Sequence, residues 1–263
     1  MARVLSLGSG SSGNCFFVGD ADSGVLIDAG ISFKAIKTAL EKYEIQLESI
    51  SALLVTHEHS DHIKGLSTFC KKTDIPVYAS KETAEYISEH IPESDGKLHS
   101  LELKTSIVEG KTEFYAFSVY HDSRNAVGYR IKTPDNRVVV YSTDVGHIDD
   151  SVFENLKEAD LNIIEANYDD GMLMCNVSYP FLLKRRISGD CGHLSNKDCA
   201  GTVCNLYKTG CRRFVLAHLS RENNTPEVAL ETVKNALINE GLNENIDYEI
   251  CVAPREETRM LIF

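Results

Sequence analysis

Leu53-Leu54-Val55-Thr56-His57-Glu58-His59-Ser60-Asp61-His62-Ile63 decides how the rest of the chain is read. Aliphatic and β-branched residues favour strands, so the apolar run up to Thr56 reads as a buried strand. The next six residues supply three imidazoles and two carboxylates. This polar burst falls at the strand's C-terminal end, where a loop can aim several side chains at one point. His57 and His59 are two apart and share one face of an extended segment. Asp61 and His62 follow at the start of a helix expected through Ile63–Lys72. Imidazole nitrogen and carboxylate oxygen are the donors that borderline divalent metals take. Nine His in 263 residues is ordinary usage, but three within six positions beside two acids is not. The stretch therefore reads as a metal-binding loop rather than a polar surface turn. Glu58 alternates with the two imidazoles and is expected to point away from the metal.

Towards the N-terminus, Arg3–Leu7 and Cys15–Val18 are short apolar strands around Gly8-Ser9-Gly10-Ser11-Ser12-Gly13-Asn14. That loop is either a flexible hairpin or a cradle of N–H groups and hydroxyls for an anion. It is not a Walker loop, because it has no Gly-Lys-Ser/Thr ending and leads into a strand. Val25–Gly30 is a strand ending in Asp28, which is either a turn residue or an acid that orients the metal loop. Ser32 then caps a helix to about Tyr43.

Towards the C-terminus, Pro76–Ala79 reads as a strand and Lys81–Glu89 as a helix. Thr112–Val119, Ala126–Lys132 and Arg137–Tyr141 read as antiparallel strands, the last two joined by a Pro134-Asp135-Asn136 turn. Strand ends recur with a polar residue: His121 after Ser118-Val119-Tyr120, Asp144 after Val138–Thr143, and His218 after Arg213–Ala217. A lone strand-end His is more often a capped or hydrogen-bonded surface residue than a ligand. Ala159–Glu165 is another strand, leading to Asn167. Tyr179–Ile187 is a short helix with the only triple basic run, Lys184-Arg185-Arg186. Ser195 caps a helix over Asn196–Tyr207. Thr225-Pro226 opens one to about Glu240, and Asp247–Val252 closes the chain as an edge strand. No linker or repeat divides it, so 1–263 reads as a single domain.

The balance of 27 Lys+Arg against 39 Asp+Glu gives a net charge of −12. That argues against bulk attraction to nucleic acid or an anionic membrane. No apolar run approaches the roughly 18 residues of a spanning helix, and no signal peptide is evident. The eight cysteines lack C-x-x-C pairs and read as free thiols in a reducing cytoplasm.

His57-x-His59-x-Asp61-His62, then His121, Asp144 and His218, with Asp28 as a first motif, resemble the metallo-β-lactamase superfamily. Ser9–Asn14, Thr56–Gly65, Tyr179–Ile187, Gly192–Asn196 and Leu216–Ser220 resemble its YycJ/WalJ (VicX) branch, essentially end to end. The resemblance implies an α/β fold, a four-layer αβ/βα sandwich with mixed sheets. It implies that His57, His59 and His121 hold one divalent metal, Asp61, His62 and His218 a second, and that Asp144 bridges them beside a shared hydroxide. All seven ligands are N or O, which admits zinc, manganese or iron. Asp61 and Asp144 then act in catalysis together with His193, an extra His that aids the leaving group or merely caps the next helix. Ser11, Asn14, Asn167, Arg185 and Asn196 are candidates for holding phosphate, although Arg185 and Arg186 read equally as a solvated helix face. The branch implies a cytoplasmic DNA exonuclease acting from the 5′ end. A small or cyclic phosphodiester fits the −12 charge better, and a glyoxalase-type thioester hydrolase would use the same ligands.

Overall fold

The structure, a computed structural model, describes residues 1–255 and 257–262, with Ile262 described by its backbone alone. They divide into two compact units. The first comprises Met1–Ser118, Ser123–Arg137 and the described residues from Pro254 onwards; the second comprises Val119–Asp122 and Val138–Ala253.

In the first unit β1 (Arg3–Gly8), β2 (Cys15–Gly19) and β3 (Gly24–Ile27) form an antiparallel meander. Asp20 Oδ1 closes the β2–β3 turn by accepting from the amides of Asp22 and Ser23, both at 2.8 Å. From β3 onwards the connections are helical and the strands parallel, because a parallel neighbour needs a crossover. Helix α1 (Phe33–Lys42) leads to β4 (Ile50–Leu54), α2 (Ser60–Ile63) and α3 (Leu66–Lys72) to β5 (Val77–Ser80), and α4 (Lys81–His90) to β6 (Leu98–Leu101). Ser32 caps α1 by accepting from Ala35 N at 3.2 Å, as its sequence position predicts. The helix expected from Ile63 starts at Ser60 and breaks at Lys64–Gly65, where Gly65 N donates to Ala29 O instead of continuing the ladder. Inward-facing Phe17, Leu26, Leu53, Val55, Leu66, Phe69 and Ile87 are fully buried and make the core on which β3 and β4 rest. An antiparallel run follows: β7 (Ile107–Glu109), β8 (Thr112–Ser118) and β9 (Val127–Lys132). The Pro134–Asn136 turn closes with Thr133 N on Arg137 O at 2.8 Å and Asn136 at φ 63°.

The second unit is built on parallel strands β10 (Val138–Ser142), β11 (Leu161–Glu165), β12 (Arg213–Ala217) and β13 (Glu249–Val252), in that order. Between β10 and β11 lies α5 (Asp150–Leu156). Between β11 and β12 lie α6 (Asp170–Cys175), α7 (Phe181–Ile187) and α8 (Asn196–Lys208), and α9 (Pro226–Asn239) leads to β13. Asp149, Asp169, Ser195 and Thr225 cap α5, α6, α8 and α9 with their own side chains. Strand β13 is not the last element. The chain continues to β14 (Arg259–Ile262), which pairs antiparallel with β1 in the first unit's sheet, Val4 opposite Leu261. That sheet runs β14-β1-β2-β3-β4-β5-β6. Among the described residues no helix is long and apolar enough to cross a membrane.

Candidate metal centre

In each unit acids and histidines gather at the carboxyl ends of neighbouring parallel strands, where α/β sheets bind ligands. Asp28 follows β3 directly, and Thr56 and His57 follow β4 after one residue. Asp144, Glu165 and His218 stand at the ends of β10, β11 and β12. Asp28, Asp144 and His218 hold left-handed backbones, with φ of 61°, 57° and 56°. Non-glycine residues adopt that conformation at a cost of about 1–3 kcal/mol, and such strain gathers at functional sites.

In the first unit Asp28 is fully buried and organises the loop. Its Oδ2 accepts from His62 Nδ1 at 2.7 Å, and its Oδ1 accepts from Thr56 N at 2.8 Å. The Thr56 hydroxyl donates to the same carboxylate at 2.9 Å and so accepts from His57 Nδ1 at 3.0 Å. Both Nδ1 atoms therefore carry the proton, and both imidazoles turn an Nε2 lone pair away from the carboxylate. His57 Nε2 lies 3.0 Å from His59 Nδ1, and His62 Nε2 lies 3.5 Å from Asp61 Oδ2. Two donors about 2.0–2.1 Å from one tetrahedral zinc are about 3.3 Å apart. The two spacings fall on either side of that value, so the loop offers two donor pairs whose separations suit a divalent metal. The loop is clamped from beneath: a Cβ on Gly30 would fall 1.7 Å from Asp61 O and 2.5 Å from Asn14 N. Glu58 points elsewhere, as its alternation predicts, accepting from Arg124 N at 2.8 Å.

In the second unit one oxygen each from Asp144 and Glu165 and one nitrogen each from His193 and His218 lie within 4.8 Å of one another. Glu165, fully buried, is the hub. Its Oε1 accepts from His193 Nδ1 and from His218 Nδ1, both at 2.8 Å, and its Oε2 accepts from Val145 N at 2.8 Å and Leu194 N at 3.2 Å. Burial alone would raise this carboxyl. The His193 charge and the imidazole hydrogen bonds outweigh it and pull the carboxyl down to about 2. Burial lowers the His193 imidazole, but the Glu165 carboxylate reverses this and leaves it raised. His121 is lowered, mainly by burial, and its Nδ1 donates to Gly192 O at 3.0 Å. His193 stays 22% exposed while His121 and His218 are 2% and 4% exposed, so of the three it alone is open to an incoming molecule.

The other residues singled out from sequence fall in different places. Ser11 is exposed. Asn14 is fully buried; its Oδ1 accepts from Gly10 N at 2.8 Å, and its amide contacts Asp61 Oδ2 at 3.2 Å and His62 Nε2 at 3.0 Å. Asn167 donates to His218 O at 2.8 Å, which places it behind that histidine. Asn196 is buried and paired with Asn224, and Asn224 Nδ2 in turn donates to the Ala166 and Asn167 carbonyls. Arg185 is exposed. Thr56, Glu165 and Asn224 were not singled out from sequence. Glu165 had one local signal: like Asp28, it is a carboxylate closing an apolar strand. All eight cysteines are free, and among the described residues no cysteine joins the donor groups.

The family described as a beta-lactamase superfamily domain matches residues 24–219. The exodeoxyribonuclease YycJ of Bacillus anthracis is 36% identical over 248 residues, covering 93% of this chain and 92% of that protein. The exodeoxyribonuclease WalJ of Streptococcus pneumoniae is 34% identical over 247 residues, covering 93% and 91%. Among solved structures, the metallo-beta-lactamase fold protein YhfI of Bacillus subtilis aligns over 98% of each chain, with a TM-score of 0.73 and 17% identity. The fold class is the expected one, α/β with mixed sheets, as in an α/β sandwich.

Proposed function

Because the chain belongs to the beta-lactamase superfamily, and within it to the group of the exodeoxyribonucleases YycJ and WalJ, we propose that it is a metal-dependent hydrolase of DNA phosphodiesters that removes nucleotides from the 5′ end. The observation that carries this reading is the pair of fitted donor spacings in the His57–His62 loop. We assign His57, His59 and His121 to one divalent ion, Asp61, His62 and His218 to a second, and Asp144 to both. An all-N/O set takes zinc, manganese or iron. Such ions, when bound, make water acidic enough to attack at neutral pH and offset the charge on the phosphate.

The chain's own residues do the rest. Asp28 and Thr56 hold the protons of His62 and His57 at Nδ1, and Glu165 does the same for His218. His193 is fixed by that carboxylate as firmly as His218 is, yet it remains partly exposed. Its Nε2 is free to hold the proton that the leaving oxygen needs, so we assign it as general acid rather than ligand. Of the substrate candidates, Ser11 and Arg185 are open to solvent and suit phosphate contact, whereas Asn14, Asn167 and Asn196 support neighbouring residues. The two units act as one domain in this reading: neither is a continuous stretch of chain, and the family match spans both. Free cysteines are consistent with a cytoplasmic location.

The net charge of −12 favours a second reading, a small phosphodiester substrate. Hydrolysis of a 5′-phosphorylated single-stranded oligonucleotide and of bis(p-nitrophenyl) phosphate, each with manganese and with zinc, separates the two. Stepwise, chelator-sensitive loss from the 5′ end is the expected result. Cleavage of the small diester alone would move the substrate to the second class, and no turnover of either would refute the hydrolase assignment.

A further inference from the structure

Helix α7 has no buried residue. Phe181 is 66% exposed and Leu182 76% exposed, side chains that a soluble fold ordinarily buries. The same helix carries Lys184-Arg185-Arg186, the only triple basic run in a chain of net charge −12. The three cations are used differently. Lys184 Nζ donates to Met174 O at 2.6 Å, and Arg186 forms an ion pair with Asp122. Arg185 has no side-chain partner among the described residues. Phe181 and Arg185 are four apart and therefore neighbours on one helix face, with Cβ atoms about 5–6 Å apart. That face combines an open aromatic ring and an open guanidinium, the two groups with which proteins grip single-stranded nucleic acid: a ring for a base and a cation for the backbone.

The helix is also locked to the candidate centre. His193 N donates to Ile187 O at 2.8 Å, at the end of α7. A Cβ on Gly192 would lie 2.2 Å from Ile187 O and 2.3 Å from Arg186 O, so the Gly192–His193 backbone packs directly on the helix. Arg186 reaches Asp122, next to His121, and His121 in turn donates to Gly192 O. The C-terminal end of α7 therefore lies beside His193 and His121. This favours a substrate over a lipid surface or a second copy of the chain, neither of which has reason to sit at a catalytic rim.

We propose that the Phe181–Arg185 face of α7 is the seat of the 5′-terminal nucleotides of single-stranded DNA, with a base stacked on Phe181 and the adjoining phosphate on Arg185. This rests on the nuclease reading above and adds the residues that select an unpaired strand. The test is binding of the metal-loaded protein to a 5′-phosphorylated, hydrolysis-resistant phosphorothioate oligonucleotide, followed by fluorescence anisotropy. Phe181→Ala weakens binding about tenfold or more, the loss of one stacked base, and Phe181→Tyr retains it. An oligonucleotide abasic at its first nucleotides binds the wild-type protein as weakly as the intact one binds Phe181→Ala, and the variant shows no additional loss. Arg185→Gln lowers the salt dependence by about one charge. Equal binding by wild type and Phe181→Ala, or a full abasic penalty that persists in the variant, overturns the proposal. So does a Phe181→Ala effect confined to sedimentation behaviour or to binding of anionic phospholipid vesicles. If the wild-type protein hydrolyses bis(p-nitrophenyl) phosphate but neither binds nor degrades DNA, the nuclease reading itself has failed; if it degrades DNA and Phe181 is indifferent, only the seat on α7 has.

Discussion

Replacing Glu165 by Gln tests how the second cluster is held. The buried carboxylate accepts four hydrogen bonds, two from the imidazoles of His193 and His218 and two from the amides of Val145 and Leu194. A glutamine has the same shape but presents one oxygen and one NH2 group. If the NH2 faces Val145 and Leu194, donors meet donors. Each buried donor left unsatisfied costs about 1–3 kcal/mol, or about 2–6 kcal/mol for the pair. The chelated variant then melts several degrees or more below wild type. If the NH2 instead faces the imidazoles, they must accept at Nδ1 and their protons move to Nε2. His218 then loses the lone pair assigned to metal, and affinity falls about 10–100-fold, as when a ligand's orienting partner is removed. The assay is a pair of measurements on each protein: the melting temperature with chelator present, and a metal titration at fixed pH. At least one must move. A variant that matches wild type in both would show that Glu165 neither satisfies the backbone nor sets the histidine tautomers.

His193→Ala is expected to lower turnover about 10²–10⁴-fold, the usual contribution of a positioned acid, while bound metal measured by elemental analysis stays near the wild-type level; a proportional loss of metal would make His193 a ligand. Gly30→Ala forces a methyl group against the Asp61 carbonyl and the Asn14 amide, which hydrogen-bond each other at 2.8 Å. It should cost about 1–3 kcal/mol of stability and weaken metal binding together, whereas wild-type titration curves would show that the Asp61 loop does not depend on that contact. Asp149→Ala removes the α5 cap and should lower stability by about 1 kcal/mol at neutral pH. The Asp149 carboxyl is lowered chiefly by the Val152 amide and also by the Tyr120 hydroxyl. Its contribution is therefore present above the ordinary carboxylate value and is lost as pH falls through the lowered folded value. Melting curves of the two proteins should converge in acid, and a gap independent of pH would assign the loss to something other than the carboxylate.

What could be read from the sequence follows from how local each interaction is. The His57–His62 loop declares itself because its donors are neighbours in the chain, and spacing alone puts His57 beside His59. Asp28, Asp144 and His218 are legible at one remove, as polar residues closing apolar strands, but only the family resemblance assembles them into one set. Glu165 closes its strand in the same way but reads in sequence only as the strand's last residue, because its partners lie 28 and 53 positions away. Asn14 shows the opposite limit. A Gly/Ser loop with an asparagine suggests a surface that grips an anion, yet this asparagine is fully buried beneath Asp61 and His62, since sequence fixes residue type but not depth. Asp28 and Glu165 also share a chemistry. A ligand histidine needs its second nitrogen held, the strand end next door is where a buried carboxylate can reach it, and the carboxylate tolerates burial because imidazole and backbone donors together compensate its charge. An acid closing an otherwise apolar strand, in a chain with histidines at neighbouring strand ends, is therefore better read as the holder of a histidine than as the start of a turn.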